Sequence, residues 1–375
     1  MTGEAALINV LVVDDSAFFR TALTRMLTRD PEIRIAGMAR DGDEAIELTR
    51  KLKPDVVTLD VEMPKRDGLS ALRAIMAECP TPVIMVSSIT LEGAEATLKA
   101  LELGAVDFIP KYQAGSVAHI DMDALSSELC AKVKTVAQRA RRFPLAARAR
   151  SGGASAARPG AFGLSAAPRP HAALATSPRP AGRPVRDFVA IGVSTGGPPA
   201  VQKVLSALPA DFPACIFIAQ HMPATFTGPF AKRLDAVSKI TVREAQTGDR
   251  IQNGIAYVCP GGKHLRVDTR GAVPYLHVTT EPTDALYKPS ANVLMESVGK
   301  SVGARALGVI MTGMGSDGAE GMKVLKAKGG HVIAQNEASC VVYGMPKAVV
   351  DAGLADEIVD LDALAETICS ALYKK

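Results

Sequence analysis

Cysteine is sparse in this chain and never arranged for chemistry. Cys79, Cys130, Cys215, Cys259, Cys340 and Cys369 are scattered without a Cys-x-x-Cys pair, which argues against a zinc site or disulfide framework and fits a reduced cytoplasm. No run of 18 apolar residues occurs, so no transmembrane helix is expected. Met1 to Leu7 holds neither a basic region nor a long apolar stretch, so no secretory signal is expected either. Acid is missing from one stretch altogether: Arg139 to Arg186 carries ten arginines and no lysine, aspartate or glutamate. The net charge of +4 therefore lives in that stretch, and the rest of the chain stands at −6.

From about Arg142 to Arg186, Ala, Pro, Arg, Gly and Ser dominate without apolar periodicity. Such a composition cannot bury enough surface to offset ordering entropy, and reads as a flexible tether. The alternative is an electrostatic contact with nucleic acid or acidic lipid. Few aromatics interleave the arginines, so base stacking has little support and no nucleic-acid partner is expected. On either side, strands and helices alternate. Before the tether, strand-like runs are Ile8–Val13, Ile33–Gly37, Asp55–Asp60, Pro82–Ser87 and Ala105–Pro110, with helical patterns between them. After it come Val189–Val193, Cys215–Gln220, Gly254–Cys259, Ala306–Thr312 and His331–Gln335. Shorter β-like runs between Ile240 and Val278 suggest antiparallel pairing. The expectation is two doubly wound parallel-sheet α/β domains, at 7–125 and 188–375, joined by a helix and linker over 126–187.

The carboxyl ends of the first five strands carry chemistry. Asp14 and Asp15 close the first, ahead of Ser16 as a helix N-cap. Asp60 closes the third, Ser87 the fourth and Lys111 the fifth. Carboxyl ends of parallel strands share one edge, so three carboxylates gather there in an oxygen-rich pocket suited to Mg²⁺. A phosphoryl group on Asp60 would need a metal, a hydroxyl and a cation; Asp14 and Asp15, Ser87 and Lys111 can supply them. This set resembles the receiver domain of two-component response regulators, whose fold is flavodoxin-like. The resemblance implies that Asp60 takes phosphate from a histidine kinase, with Asp14, Asp15 and Asp60 holding Mg²⁺ and Ser87 and Lys111 forming the switch. The family usually has Lys-Pro at the fifth strand end, whereas Tyr112 follows Lys111 here.

After the tether, the strand ending at Val193 runs into Ser194-Thr195-Gly196-Gly197. Gly192-x-Ser194-x-Gly196 has the spacing of a nucleophile elbow, but a glycine-rich strand-to-helix turn equally suits a dinucleotide phosphate. A serine nucleophile needs a base and the base an orienting acid. His221 follows a strand directly, although a lone histidine there could be structural. Asp317 follows another strand in Met311-Thr312-Gly313-Met314-Gly315-Ser316-Asp317-Gly318, although it could simply cap a helix. Serine, histidine and aspartate at three strand ends suggest a serine hydrolase whose chain order differs from the α/β-hydrolases.

The blocks Gly192–Gly197, Gln220-His221-Met222-Pro223 and Met311–Gly318 resemble the methylesterase domain of chemotaxis protein-glutamate methylesterases, a Rossmann-like three-layer α/β/α hydrolase. Pro260–His264, Pro289-Ser290 and Cys340–Pro346 are similar too. With the receiver in front, the resemblance covers nearly everything but the linker. It implies a cytoplasmic, phosphorylation-activated enzyme that demethylates glutamate γ-methyl esters on chemoreceptors and deamidates glutamines there, reaching the membrane only through its receptor substrates. Ser194 would be the nucleophile, His221 the base and Asp317 its orienter, with Met314 serving the oxyanion hole and Thr195 steadying His221; no cofactor is expected for this half. At Ala291-Asn292 the family more often has a carboxylate. A phosphorylation-controlled binding module with a non-catalytic esterase-like domain is the competing reading.

Overall fold

A computed structural model describes residues 7–111, 122–142, 182–271 and 273–374. Tyr112, His119, His171 and most of the arginine-rich stretch lie outside these residues.

The first unit is a five-stranded parallel sheet of order β2-β1-β3-β4-β5: β1 (Ile8–Val13), β2 (Ile33–Ala39), β3 (Val56–Asp60), β4 (Val83–Ser88) and β5 (Asp107–Lys111). Its helices are α1 (Ala17–Leu27), α2 (Gly42–Leu52), α3 (Gly68–Glu78), α4 (Leu91–Glu102) and α5 (Met122–Arg142). The central strands are apolar on both faces, as a sheet covered by helices requires. Val10, Leu11, Val12 and Val13 are all fully buried. Local signals set the helix starts. Asp41, Asp67 and Thr90 each accept an N–H from the first turn of α2, α3 and α4. Ser16 departs from expectation: it stands at the start of α1 without a capping bond, and its own N–H donates to Asp14 Oδ1 at 2.9 Å.

The second unit is a seven-stranded sheet built on β6 (Phe188–Val193), β7 (Cys215–Gln220), β8 (Thr241–Glu244), β9 (Ile255–Val258), β12 (Ala306–Ile310), β13 (His331–Gln335) and β14 (Glu357–Val359). The order is β14-β13-β12-β6-β7-β9-β8, and every pairing is parallel. The expected antiparallel middle is thus only partly correct. β8 and β9 join the parallel sheet, and the antiparallel pair is the separate hairpin β10 (His264–Arg270) and β11 (Val273–Thr279). Short strands such as Thr241–Glu244 carry too few residues for their direction to be read from periodicity. The flanking helices are α6 (Gly197–Ala207), α7 (Ala224–Val237), α8 (Ala291–Val302), α9 (Ala319–Ala327), α10 (Met345–Asp351) and α11 (Leu364–Ala371). The strand order reverses between β6 and β12, a switch point that opens a crevice at the strands' carboxyl ends.

The arginine-rich stretch is not uniformly solvated at its ends. Arg186 is 7% exposed and donates to the carbonyls of Ala371 and Lys374, tying β6 to the C-terminal helix. Arg139 and Arg142 belong to α5 and bind Glu337 of the second unit, Arg139 Nη1 reaching its carbonyl at 3.1 Å. A buried guanidinium with carbonyl partners looks no different in sequence from a solvated one.

The two units pack together. Helix α4 lies against α7, with Glu102 paired to Arg233. Phe108 of β5 stacks on Phe226 of α7 at 4.6 Å between ring centroids, 16° from parallel. Beside that stack, half-buried Lys132 lies between Asp107 and Glu128, 3.0 Å from a carboxylate oxygen of each, and donates to the Phe108 carbonyl at 2.9 Å. No described helix is long and apolar enough to cross a membrane.

Candidate active site and acidic pocket

In the first unit the sheet edge gathers the expected residues. One carboxylate oxygen from each of Asp14, Asp15 and Asp60 lies within 4.8 Å of the others. Lys111 Nζ is 2.7 Å from Asp60 Oδ2 and 2.8 Å from Asp14 Oδ2, above the ring of Phe19. Burial pushes Asp60 up to about 6, with repulsion from Asp14 adding to it against the bond from Lys111. Burial also raises Asp14. Two buried acids sharing one lysine are short of positive charge, and Asp15 is exposed beside them. Three oxygen donors in that state fit a hard divalent cation such as Mg²⁺. The hydroxyl of Ser87 is buried and donates to the Gly93 carbonyl at the start of α4, 3.1 Å away. It is thus tied to a helix that packs on the second unit.

In the second unit the crevice collects Ser194, His221 and Asp317. Ser194 leaves β6, with its N–H on the Thr312 carbonyl at 3.0 Å. Gly196 has φ +72°, and a Cβ there would meet Val341 at 2.4 Å; one on Gly197 would meet Gln220 Oε1 at 2.1 Å. The glycines are therefore required by protein packing alone, without a phosphate ligand to explain them. Gln220 Nε2 bonds the carbonyls of both Ser194 and His221, at 3.0 and 3.1 Å, and so locks the two loops together. Its role was not evident from sequence, because only the fold brings the elbow to the end of β7.

Asp317 is the most heavily bonded acid of the site. Its Oδ2 is 2.7 Å from His221 Nε2 and accepts the Ala291 N–H at 2.6 Å. Its Oδ1 accepts from Ser290 Oγ at 2.9 Å and the Asn292 N–H at 3.0 Å. Burial alone would raise its pKa, but the bonds from His221, Asn292 and Ala291 outweigh it and hold the carboxyl below its usual range. The simple cap role is not what the fold uses: α9 begins at Ala319, and Asp317 instead sits at the N-terminus of α8. Asn292 returns the favour. Its Oδ1 accepts from the N–H groups of Gly318 and Gly321, both at 2.9 Å, a role an amide oxygen fills without adding charge.

Thr195 is buried, and its carbonyl accepts from Thr312 Oγ1 at 2.8 Å. Among the described residues no hydrogen bond joins Thr195 to His221 or Ser194 to His221. Ser194, His221 and Met314 line a cavity of about 870 Å³ whose other wall comes from the first unit, including Phe108, Glu128 and Lys132. The crevice is roofed in this structure.

A family model described as CheB methylesterase matches residues 189–368, and one described as response regulator receiver domain matches 10–118. A protein-glutamate methylesterase/protein-glutamine glutaminase of Lawsonia intracellularis is 65% identical over 365 residues, covering 97% of this chain and 99% of the relative. Protein-glutamate methylesterase/protein-glutamine glutaminase 2 of Nitratidesulfovibrio vulgaris is 63% identical, covering 98% of this chain and 100% of its own. The crystal structure of the Thermotoga maritima CheB methylesterase catalytic domain is 34% identical, covers 49% of this chain and 98% of its own, and aligns with a TM-score of 0.48.

Proposed function

The chain belongs to the family of CheB methylesterases carrying a response-regulator receiver domain, and from that premise we propose that it is a phosphorylation-controlled protein-glutamate methylesterase. Its substrates are γ-glutamyl methyl esters on chemoreceptors, and glutamines at the same positions are deamidated. The observation that carries the reading is the meeting of Ser194, His221 and Asp317 at the switch point of one parallel sheet, with His221 Nε2 2.7 Å from Asp317.

Ser194 Oγ attacks the ester carbonyl and gives its proton to His221. With Nε2 committed to Asp317, the other ring nitrogen is the one available to the serine. The Asp317 carboxylate orients the ring and balances the imidazolium charge. Met314, which lines the same cavity, would offer its backbone N–H to the oxygen that becomes negative in the tetrahedral intermediate. The intermediate collapses, and methanol leaves with the proton from His221. Water, deprotonated by His221, then attacks the acyl-enzyme, freeing glutamate and restoring Ser194. With glutamine, ammonia is the leaving group. The alternative of a non-catalytic binding module is not favoured by relatives named as methylesterases.

Asp60 takes the phosphoryl group from a histidine kinase. Mg²⁺, held by Asp14, Asp15 and Asp60, supplies charge neutralisation for the phosphoryl oxygens when bound. Ser87 and Lys111 bind those oxygens, and turning Ser87 away from Gly93 frees the first turn of α4. Because α4 packs on α7 of the second unit, while Phe108 and Lys132 roof the cleft, that change favours the undocked state and opens the cleft. A 100-fold shift needs about 2.7 kcal/mol of differential stability.

Methanol release from radiomethylated receptor membranes, with and without acetyl phosphate and Mg²⁺, tests both halves. Release should require Ser194, vanish in Ser194→Ala, and rise with the phosphodonor. Release that survives Ser194→Ala would reject the serine hydrolase, and release blind to the donor would reject the switch.

A further inference from the structure

The imidazole of His221 is fixed along one edge by Asp317. One in-plane hydrogen bond leaves a ring free to tilt about that contact, and a tilted base misses its nucleophile. The structure supplies a second restraint. The ring of Tyr287 stacks on His221 with centroids 4.1 Å apart and planes 14° from parallel. Tyr287 stands just before Lys288-Pro289-Ser290, and Ser290 Oγ holds Asp317. The same short loop thus fixes the face of the imidazole and the carboxylate at its edge. Ser290 is fixed in turn by fully buried His264, whose Nδ1 accepts the Ser290 N–H at 3.3 Å. At its far end the phenol reaches the Met314–Gly315 turn: a Cβ on Gly315 would lie 3.5 Å from Tyr287 Oη.

We infer that Tyr287 is a positioning residue for the hydrolytic step, a face-on brace that holds the plane of His221 toward Ser194. The inference rests on the proposed roles of Ser194 and His221. It assigns the work to the aromatic face and not to the hydroxyl. Burial first, and then the charges of Asp317 and Glu128, push the phenol above its usual range, so the ring is a neutral surface under working conditions. Tyr287 also lines the cavity wall opposite Glu128 and Lys132 of the first unit, so a docked receiver and a substrate meet the same brace.

The test uses the full-length protein with acetyl phosphate, Mg²⁺ and radiomethylated receptor membranes. Tyr287→Phe should keep more than about half of kcat. Tyr287→Leu should lose about 30-fold in kcat with KM changed less than about twofold, as expected when geometry and not binding is lost. The rate of Ser194 labelling by a fluorophosphonate should fall in Tyr287→Leu and not in Tyr287→Phe, because that reaction needs the same base but no receptor. Tyr287→Met replaces the leucine variant if the latter melts broadly, with the same expectation. Unchanged kcat in the non-aromatic variants, a loss confined to KM, or a phenylalanine variant as poor as leucine would each overturn the brace. Ser194→Ala run alongside separates the failures: if it still releases methanol, the hydrolase reading falls and takes the brace with it.

Discussion

Asp60 ends a strand of one parallel sheet and Asp317 lies in the loop that follows a strand of the other, and both are buried, at 3% and 7% exposure. Their acidities move in opposite directions. Asp60 is raised to about 6, whereas Asp317 is held below its usual range. Burial penalises both, so the difference comes from partners. Asp317 accepts from a serine hydroxyl, two helix N–H groups and a histidine. Asp60 has a lysine that it shares with Asp14, and one long bond of 3.4 Å from Glu62 N. A fully bonded carboxylate is a fixed charge, good for orienting a base. An under-bonded one is a place where added charge can be accepted and felt, which is what a switch requires.

The contrast breaks most sharply at Asp317. Asp317→Asn preserves shape but removes the fixed charge and offers His221 an N–H where it now finds an acceptor. Methanol release should fall by about 10³-fold or more, with the circular dichroism spectrum unchanged. Asp317→Ala should also destabilise the fold, because buried Ser290 and the first N–H groups of α8 lose their acceptor, at about 1–3 kcal/mol for each group left unsatisfied; chemical denaturation would measure it. A variant that retains most of its activity would remove the orienting role. At the other aspartate, Asp60→Asn removes the proposed phosphoacceptor. The rate with acetyl phosphate and Mg²⁺ should then no longer exceed the rate without them, an increment of about 100-fold if phosphorylation shifts docking by 2.7 kcal/mol.

A smaller effect sits between the two sites. The Phe108–Phe226 stack joins the units beside Ser194, and an aromatic pair is worth about 1 kcal/mol beyond its buried area. Phe108→Ala should raise methanol release without phosphodonor by about fivefold, leaving the rate with donor near its ceiling. Lower release without donor would mean that the stack supports the open enzyme and not the roofed one.

Most of this architecture was legible because the informative residues lie at strand ends, where chemistry and topology coincide. The run from Ile8 to Val13 followed by Asp14-Asp15 marks a strand and its buried faces, and puts two carboxylates at its end. The same logic found Ser194 and His221. What stayed hidden depends on neighbours supplied by distant chain. Gln220 reads as the last residue of a strand until the fold puts its amide between the loops bearing Ser194 and His221. Tyr287 lies in a loop without periodicity, and only the folded chain lays it on His221. Arg186 belonged by composition to a solvated tether, yet the C-terminal helix supplies carbonyls that make its burial favourable. The direction of β8 and β9 was likewise set by the strands beside them and not by their own few residues.

The pH dependence sharpens the comparison with the smallest effect. Asp60, raised to about 6 from an ordinary 3.8, keeps in the folded protein a proton that the unfolded chain has already released. For this group the native state binds more protons between those values, so its contribution to stability falls as pH rises through that window. Asp14, also raised, acts in the same direction. A cation in the pocket would reverse the penalty by balancing the carboxylates, but it must compete with the proton. Between pH 7 and pH 5.5 the ionised fraction of a group of pKa about 6 falls about fourfold, and Mg²⁺ affinity should fall by at least that factor. Thermal melting with and without Mg²⁺ at the two pH values would read this as a larger stabilising increment at pH 7. Asp60→Asn, which cannot titrate, should flatten the dependence. An increment that instead grew toward pH 5.5 would mean that the ion binds elsewhere, and that Asp60 differs from Asp317 in acidity without differing in what it can hold.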